Sequence, residues 1–197
     1  MYRKVVIILA PPGGGKTTQA KLLSERTGLP HVEMSKLLKT FIKKGGELLD
    51  DALVWTQLSL WLAEQKPRHG YILDGFPRTK GQAKLFHKGV IKPLLKNAKI
   101  SHIDQILKVI ELQVGTAGLL QRLVKRAVKF GRHDDKPKIA LKRQQIYRKN
   151  IEKINNFYKS KRLHQYQLGG YKKPQEVHDE IFGIVDSWVK SFEWRFS

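Results

Sequence analysis

Val5-Val6-Ile7-Ile8-Leu9 is an unbroken apolar run, and it ends abruptly in Ala10-Pro11-Pro12-Gly13-Gly14-Gly15. A short continuous apolar stretch bounded by turn residues predicts a strand buried on both faces, over residues 4–9. A helix is expected over 16–27, stopped by Gly28 and Pro30. A short strand is expected at 31–34. Helices are expected at 35–44 and 51–65, around the turn Lys44-Gly45-Gly46-Glu47-Leu48-Leu49-Asp50. Tyr71-Ile72-Leu73-Asp74 reads as a second apolar strand, followed by a helix over 80–87. A further strand falls within 103–114 and a helix over 119–128. A long amphipathic helix is expected over 136–162, a last strand at 165–168 and a closing helix at 174–192. Alternation of short apolar strands with helices predicts an α/β fold, a parallel sheet of about five strands with helices on both faces. No internal repeat, low-complexity tract or long linker interrupts the pattern.

The length of 197 residues suits one domain, and 41% hydrophobic residues can form a real core. The absence of cysteine excludes disulfides and zinc-thiolate sites and fits a reducing compartment. No apolar run approaches the roughly 20 residues that span a bilayer. The run after Arg3 and Lys4 is too short for a signal peptide and leads into a proline-glycine loop, so a cytoplasmic location and no membrane partner are expected. Charge changes the picture more. Lys plus Arg total 38 against 17 acids, a net of +21. Residues 136–162 alone hold ten Lys/Arg and one acid, Glu152. That segment is a basic helix face, either simply solvated or able to meet a polyanion such as nucleic acid.

Two loops carry candidate chemistry, and in parallel sheets ligands bind at the carboxyl ends of the strands, where both fall. The first scans as Ala10, four residues, then Gly15-Lys16-Thr17, one residue from the usual phosphate-loop pattern. Gly13, Gly14 and Gly15 let backbone N–H groups point at phosphate oxygens, and the helix that starts at Lys16 favours an anion. Lys16 supplies a mobile charge, and Thr17 offers a hydroxyl toward Mg²⁺. In the second loop Asp74 ends an apolar strand, where a carboxylate needs a partner such as a hydrated Mg²⁺. Arg78 can grip phosphate with two parallel hydrogen bonds. A third cluster places Arg126, Arg132 and Arg143 around a helix break, suited to a flap that closes over phosphates.

These stretches resemble the nucleoside monophosphate kinase family, most closely adenylate kinases with a short lid. Leu9–Ala20 is similar to that family's phosphate loop, and Tyr71–Ala83 contains its Asp-Gly-Phe-Pro-Arg-Thr-x-x-Gln-Ala segment. Gly45–Val54 is similar to its monophosphate-binding arm, and Arg122–Asp135 with Arg143 to its lid. The resemblance implies a P-loop three-layer α/β/α core (1–34, 65–125 and 138–197), a helical arm over 35–64 and a lid over 126–137. It implies reversible transfer of the γ-phosphoryl of Mg-ATP to AMP by a monomer. Gly13, Gly14, Gly15, Lys16, Thr17, Thr18 and Arg126 would bind ATP. Asp74 and Thr17 would hold Mg²⁺ through its waters. Arg78 would take the acceptor phosphate, Gly75 would line its site and Gln82 would meet its adenine. Arg132 and Arg143, with Lys16 and Arg78, would serve the transferring group. His133 is read as a surface residue.

The family pattern is broken at Met34-Ser35-Lys36-Leu37-Leu38-Lys39, where Thr-Gly-Asp-Leu-Leu-Arg is usual. Met34 stands for a base-contacting threonine and Lys39 for a phosphate-clamping arginine. Gln113 and Gly115 stand where Asp and Pro are usual. The donor half is intact and half of the acceptor site is altered. A kinase for UMP, CMP or a deoxynucleotide therefore stays open. So does an ATP-binding protein of weak activity that acts on nucleic acid through its basic surface.

Overall fold

The computed structural model describes residues 3–41, 47–115, 118–119, 121–123 and 137–190. Five strands form one sheet: β1 (Lys4–Leu9), β2 (His31–Glu33), β3 (Gly70–Asp74), β4 (Leu107–Gln113) and β5 (Gln165–Gly169). Their order is β2-β3-β1-β4-β5 and every pairing is parallel. All six residues of β1 are buried, as its apolar run requires at the sheet centre. Alternate residues feed two cores. Val5, Ile7 and Leu9 pack with α3 (Asp51–Gln65), α4 (Lys80–Phe86) and α6 (Pro137–Ser160). Val6 and Ile8 pack with α1 (Lys16–Thr27) and α7 (Pro174–Lys190). Val177, Ile181 and Val185 recur every fourth residue on α7, so one stripe of that helix seals the second face. The expected three-layer α/β/α architecture is therefore present.

Local departures have physical causes. The helix expected over 35–44 is only α2 (Met34–Leu37). Leu38 turns into the core, and the amides of Lys39 and Phe41 donate to Lys36 and Leu38, a tighter three-residue turn. Residues 42–44 lie outside the described residues. The helix expected to end at 87 continues through a π-helical turn (His87–Ile91) into α5 (Lys92–Ala98). The wide turn bonds the Lys92 amide to the His87 carbonyl, and Pro93 falls in the first turn of α5, where its missing N–H is tolerated. Of the helix expected over 119–128, residues 119 and 121–123 are helical and 124–128 lie outside the described residues.

Candidate active site

β1 occupies the sheet centre, with β3 on one side and β4 on the other. The connection from β1 runs to one side, to β2, and the connection from β3 crosses to the other side, to β4, which opens a crevice at the carboxyl ends. The glycine loop fills that crevice. Gly13 and Gly15 have φ of 81° and 89°, left-handed values that other residues adopt only with strain. Gly15 caps α1, so the first amides of the helix and the charge of Lys16 face the same space.

Asp74 pairs in register with Ile8 and Glu33 and is 2% exposed. Thr17 Oγ1 donates to Asp74 Oδ2 at 2.6 Å, and His31 Nε2 lies 3.3 Å from the same oxygen. Burial alone would raise this carboxyl. The His31 hydrogen bond, the Lys16 charge and the Thr17 hydroxyl outweigh it and hold the group below its ordinary range. Its other oxygen, Oδ1, is buried without a hydrogen-bond partner. A buried, ionised oxygen beside a threonine hydroxyl fits a hard cation or its water shell. No cluster of three or more metal-binding side chains occurs among the described residues.

The loop that follows Asp74 is held from α3. Thr79 caps α4 by accepting from the Gln82 amide at 3.0 Å, and its hydroxyl donates to Asp51 Oδ1 at 2.7 Å. Gln82 Oε1 accepts from the Arg78 amide at 2.7 Å, and Arg78 Nε donates to the Gly75 carbonyl at 2.9 Å. Asp51 of α3 thus anchors the turn that carries Arg78. Gly81 permits this contact: a Cβ there would lie 2.0 Å from Asp51 Oδ2.

Two cavities meet at this crevice. One of about 400 Å³ is lined by Gly13, Gly14, Gly15, Lys16, Thr17 and Thr18, together with Arg122, Gly170 and Lys172. The other is lined by Lys16, Gly75, Arg78 and Arg143, with Leu48, Tyr147 and Asn150. Lys16 belongs to both. Three separate stretches of sequence therefore converge on one lysine.

Two contributors were missed in the sequence. Arg122 donates to the Gly170 carbonyl at 3.0 Å and lines the first cavity; it stood inside the lid-like cluster but was not singled out. Glu111 is 8% exposed in β4. It accepts from Tyr147 Oη at 3.3 Å and Asn155 Nδ2 at 2.9 Å, which fixes α6 one turn beyond Arg143. Burial first, then the Glu111 charge, pushes the Tyr147 hydroxyl upward, so it remains a donor. A lone acid in an apolar strand was the available signal. Other expected residues sit elsewhere. Gln82 is buried, Met34 is 1% exposed in the apolar core, and Lys39 is exposed on a turn; none of the three lines either cavity. Arg126, Arg132 and His133 lie outside the described residues.

The family model for adenylate kinase matches residues 8–163. An adenylate kinase of Leptospira biflexa serovar Patoc is 30% identical, over 92% of this chain and 100% of its own length. One from Xylella fastidiosa is 32% identical, over 89% and 96%. One from Rickettsia prowazekii is 28% identical, over 92% and 98%. With the phosphate loop, the Asp74–Arg78 turn and Arg143 gathered at one crevice, the chain belongs to the adenylate kinase family.

Proposed function

We propose that this protein transfers the γ-phosphoryl group of ATP reversibly to AMP, giving two ADP. The observation that carries the reading is that Lys16 lines both cavities. One ammonium can then hold the phosphoryl group while it passes from a donor on the glycine loop to an acceptor beside Arg78. Gly13, Gly14, Gly15, Thr17 and Thr18 cradle the donor phosphates, with Arg122 lining the same cavity. The acceptor oxygen is already ionised, so no general base is needed; catalysis rests on position and positive charge. Arg143 reaches the junction from α6, held in place by the Glu111 network. Arg126 and Arg132 serve the donor and the transferring group from the lid.

Mg²⁺ fits the donor set, with Thr17 and Asp74 holding it through its waters. When bound it neutralises charge on the β- and γ-phosphates. The Asp51–Thr79–Gln82 chain keeps Arg78, Gly75 and Gln82 in place for AMP. Residues 35–64 act as an arm over the acceptor, with Met34 and Lys39 at its root, and 126–137 act as a lid over ATP. Lack of cysteine supports a reducing, cytoplasmic setting, and we take the working unit to be a monomer. No helix among the described residues is long and apolar enough to cross a membrane. Neither another acceptor base nor a weakly active nucleic-acid protein is favoured by the relatives. ADP formation from Mg-ATP with AMP, UMP, CMP and dAMP tests the reading. AMP should be the best acceptor. Tight ATP binding with no ADP formed from any of them would defeat it.

A further inference from the structure

The kinase site leaves most of the +21 charge without a task. The long basic helix α6 is partly neutralised: Lys142 pairs with Glu47 at 3.0 Å, and Arg148 is also engaged. A cleaner basic feature lies on the helix from α4 through the π turn to α5. Lys80, Lys84, Lys88, Lys92 and Lys96 recur at every fourth residue, and all five are exposed. None of them carries an ion pair or a side-chain hydrogen bond. No acid occurs between Asp74 and Asp104, while seven Lys/Arg do.

The spacing is not a simple consequence of burial. At 3.6 residues per turn, steps of four drift by about 40° each around a helix. The wide π turn at His87–Ile91 inserts extra residues per turn midway and counters that drift. The opposite side of the same helix, with Ala83, Phe86 and Ile91, is buried in the core. The lysines therefore form a rigid line of about 24 Å from Lys80 to Lys96. Lys161, just beyond α6, extends the charge sideways. Burial first, and then the Lys161 and Lys92 charges, lower the proton affinity of His87 between them.

A rigid row of cations with no paired acid fits a polyanion whose charges are also held in a row. No exposed aromatic side chain lies on this helix, so it offers no platform for stacking unpaired bases, which argues against single strands. It also presents no large exposed apolar side chain among the lysines, which argues against insertion into a membrane surface. We propose that the Lys80–Lys96 line is a docking surface for the phosphate backbone of duplex nucleic acid, used without sequence preference and separate from the kinase site.

The test is fluorescence anisotropy of a mixed-sequence duplex longer than the line, titrated with the whole protein over a range of salt. The test variant carries Lys84→Gln, Lys88→Gln, Lys92→Gln and Lys96→Gln; Lys80 is kept because it adjoins the Thr79 cap. The control variant removes the same charge elsewhere: Lys21→Gln, Lys66→Gln, Arg68→Gln and Lys138→Gln. Each lost phosphate contact should make the slope of log affinity against log salt shallower by about 0.9, so four should change it by about 3 to 4. The control variant should keep most of the slope, and ADP formation should be unchanged in both. Equal slopes in both variants would reduce the effect to net charge and overturn the surface. No duplex binding by the wild-type protein at low salt would also overturn it, as would binding to anionic vesicles in preference to duplex. A parallel loss of kcat/KM for nucleotides would assign these lysines to substrate steering instead.

Discussion

Replacing a helical glycine by alanine ordinarily stabilises a protein, because the unfolded chain loses freedom. At Gly81 the sign should reverse. The new Cβ would sit 2.0 Å from Asp51 Oδ2 and 3.0 Å from Asp51 Cγ. To reach ordinary contact, at 3.4 Å or more, the carboxylate must retreat by about 1.4 Å. Its other oxygen then leaves the 2.7 Å hydrogen bond from Thr79. A hydrogen bond to a charged group contributes about 1.5–3 kcal/mol, and a half-exposed one lies at the low end. Helix propensity returns about 0.5 kcal/mol. The net loss is about 1 kcal/mol, or about 2–4 °C in Tm for a chain of this size. The consequence for function is sharper. Without Asp51 the Thr79 cap loosens, and with it Arg78 and Gln82, so the AMP KM should rise several-fold while the ATP KM holds. In an Asp51→Ala background the clash is gone, and Gly81→Ala should become neutral or stabilising, which a double-mutant cycle measures directly. A Gly81→Ala protein as stable as wild type, with an unchanged AMP KM, would refute the latch between arm and acceptor site.

Arg143→Ala should lower kcat by about 10²-fold with little change in the ATP KM, because a charge at the junction matters most when charge moves. A raised KM with intact kcat would remove it from the transfer step. Lys39 is a point charge where an arginine fork is usual, so Lys39→Arg should lower the AMP KM and leave the ATP KM alone. No change in either constant would show that this exposed turn does not reach the acceptor. Lys4 tests the core instead. It is 4% exposed, donates to the Trp188 carbonyl and lies 4.7 Å from that ring. Burial first, and Lys108 second, lower its ammonium from 10.5 to about 8. Between those values the unfolded chain holds a proton that the folded chain has released, so its contribution to stability rises with pH. Lys4→Met should remove that rise in denaturation curves; a constant gap between the two proteins across the window would contradict the low value.

The sheet and its crevice were legible because the strands are short apolar runs and the glycine loop sits directly after the central one. Those signals are local. The partnered burial of Asp74 was legible for a related reason, since a carboxylate at the end of an apolar strand demands a partner. The contacts that organise the site are not local. Asp51 meets Thr79 across 28 positions, and Glu111 meets Tyr147 across 36. Nothing in either short stretch announces its partner. The continuation of α4 into α5 runs through Gly89 and Pro93, ordinary breakers that a π turn accommodates, so it carries no local signal. Met34 was assigned from its position in a motif, and its burial beside Val32 and Leu38 was not legible there.

The central claim is that one ammonium, Lys16, serves donor and acceptor together. Single-turnover ADP formation with Lys16→Ala, at saturating Mg-ATP and AMP, measures it most directly. Saturation removes differences in affinity, so only the transfer step is read. Loss of one such charge from the transition state costs on the order of 3–4 kcal/mol, a fall of about 10²- to 10³-fold. Circular dichroism and an unchanged Tm confirm that the fold survives. A variant that keeps more than about a tenth of the wild-type rate would contradict the account.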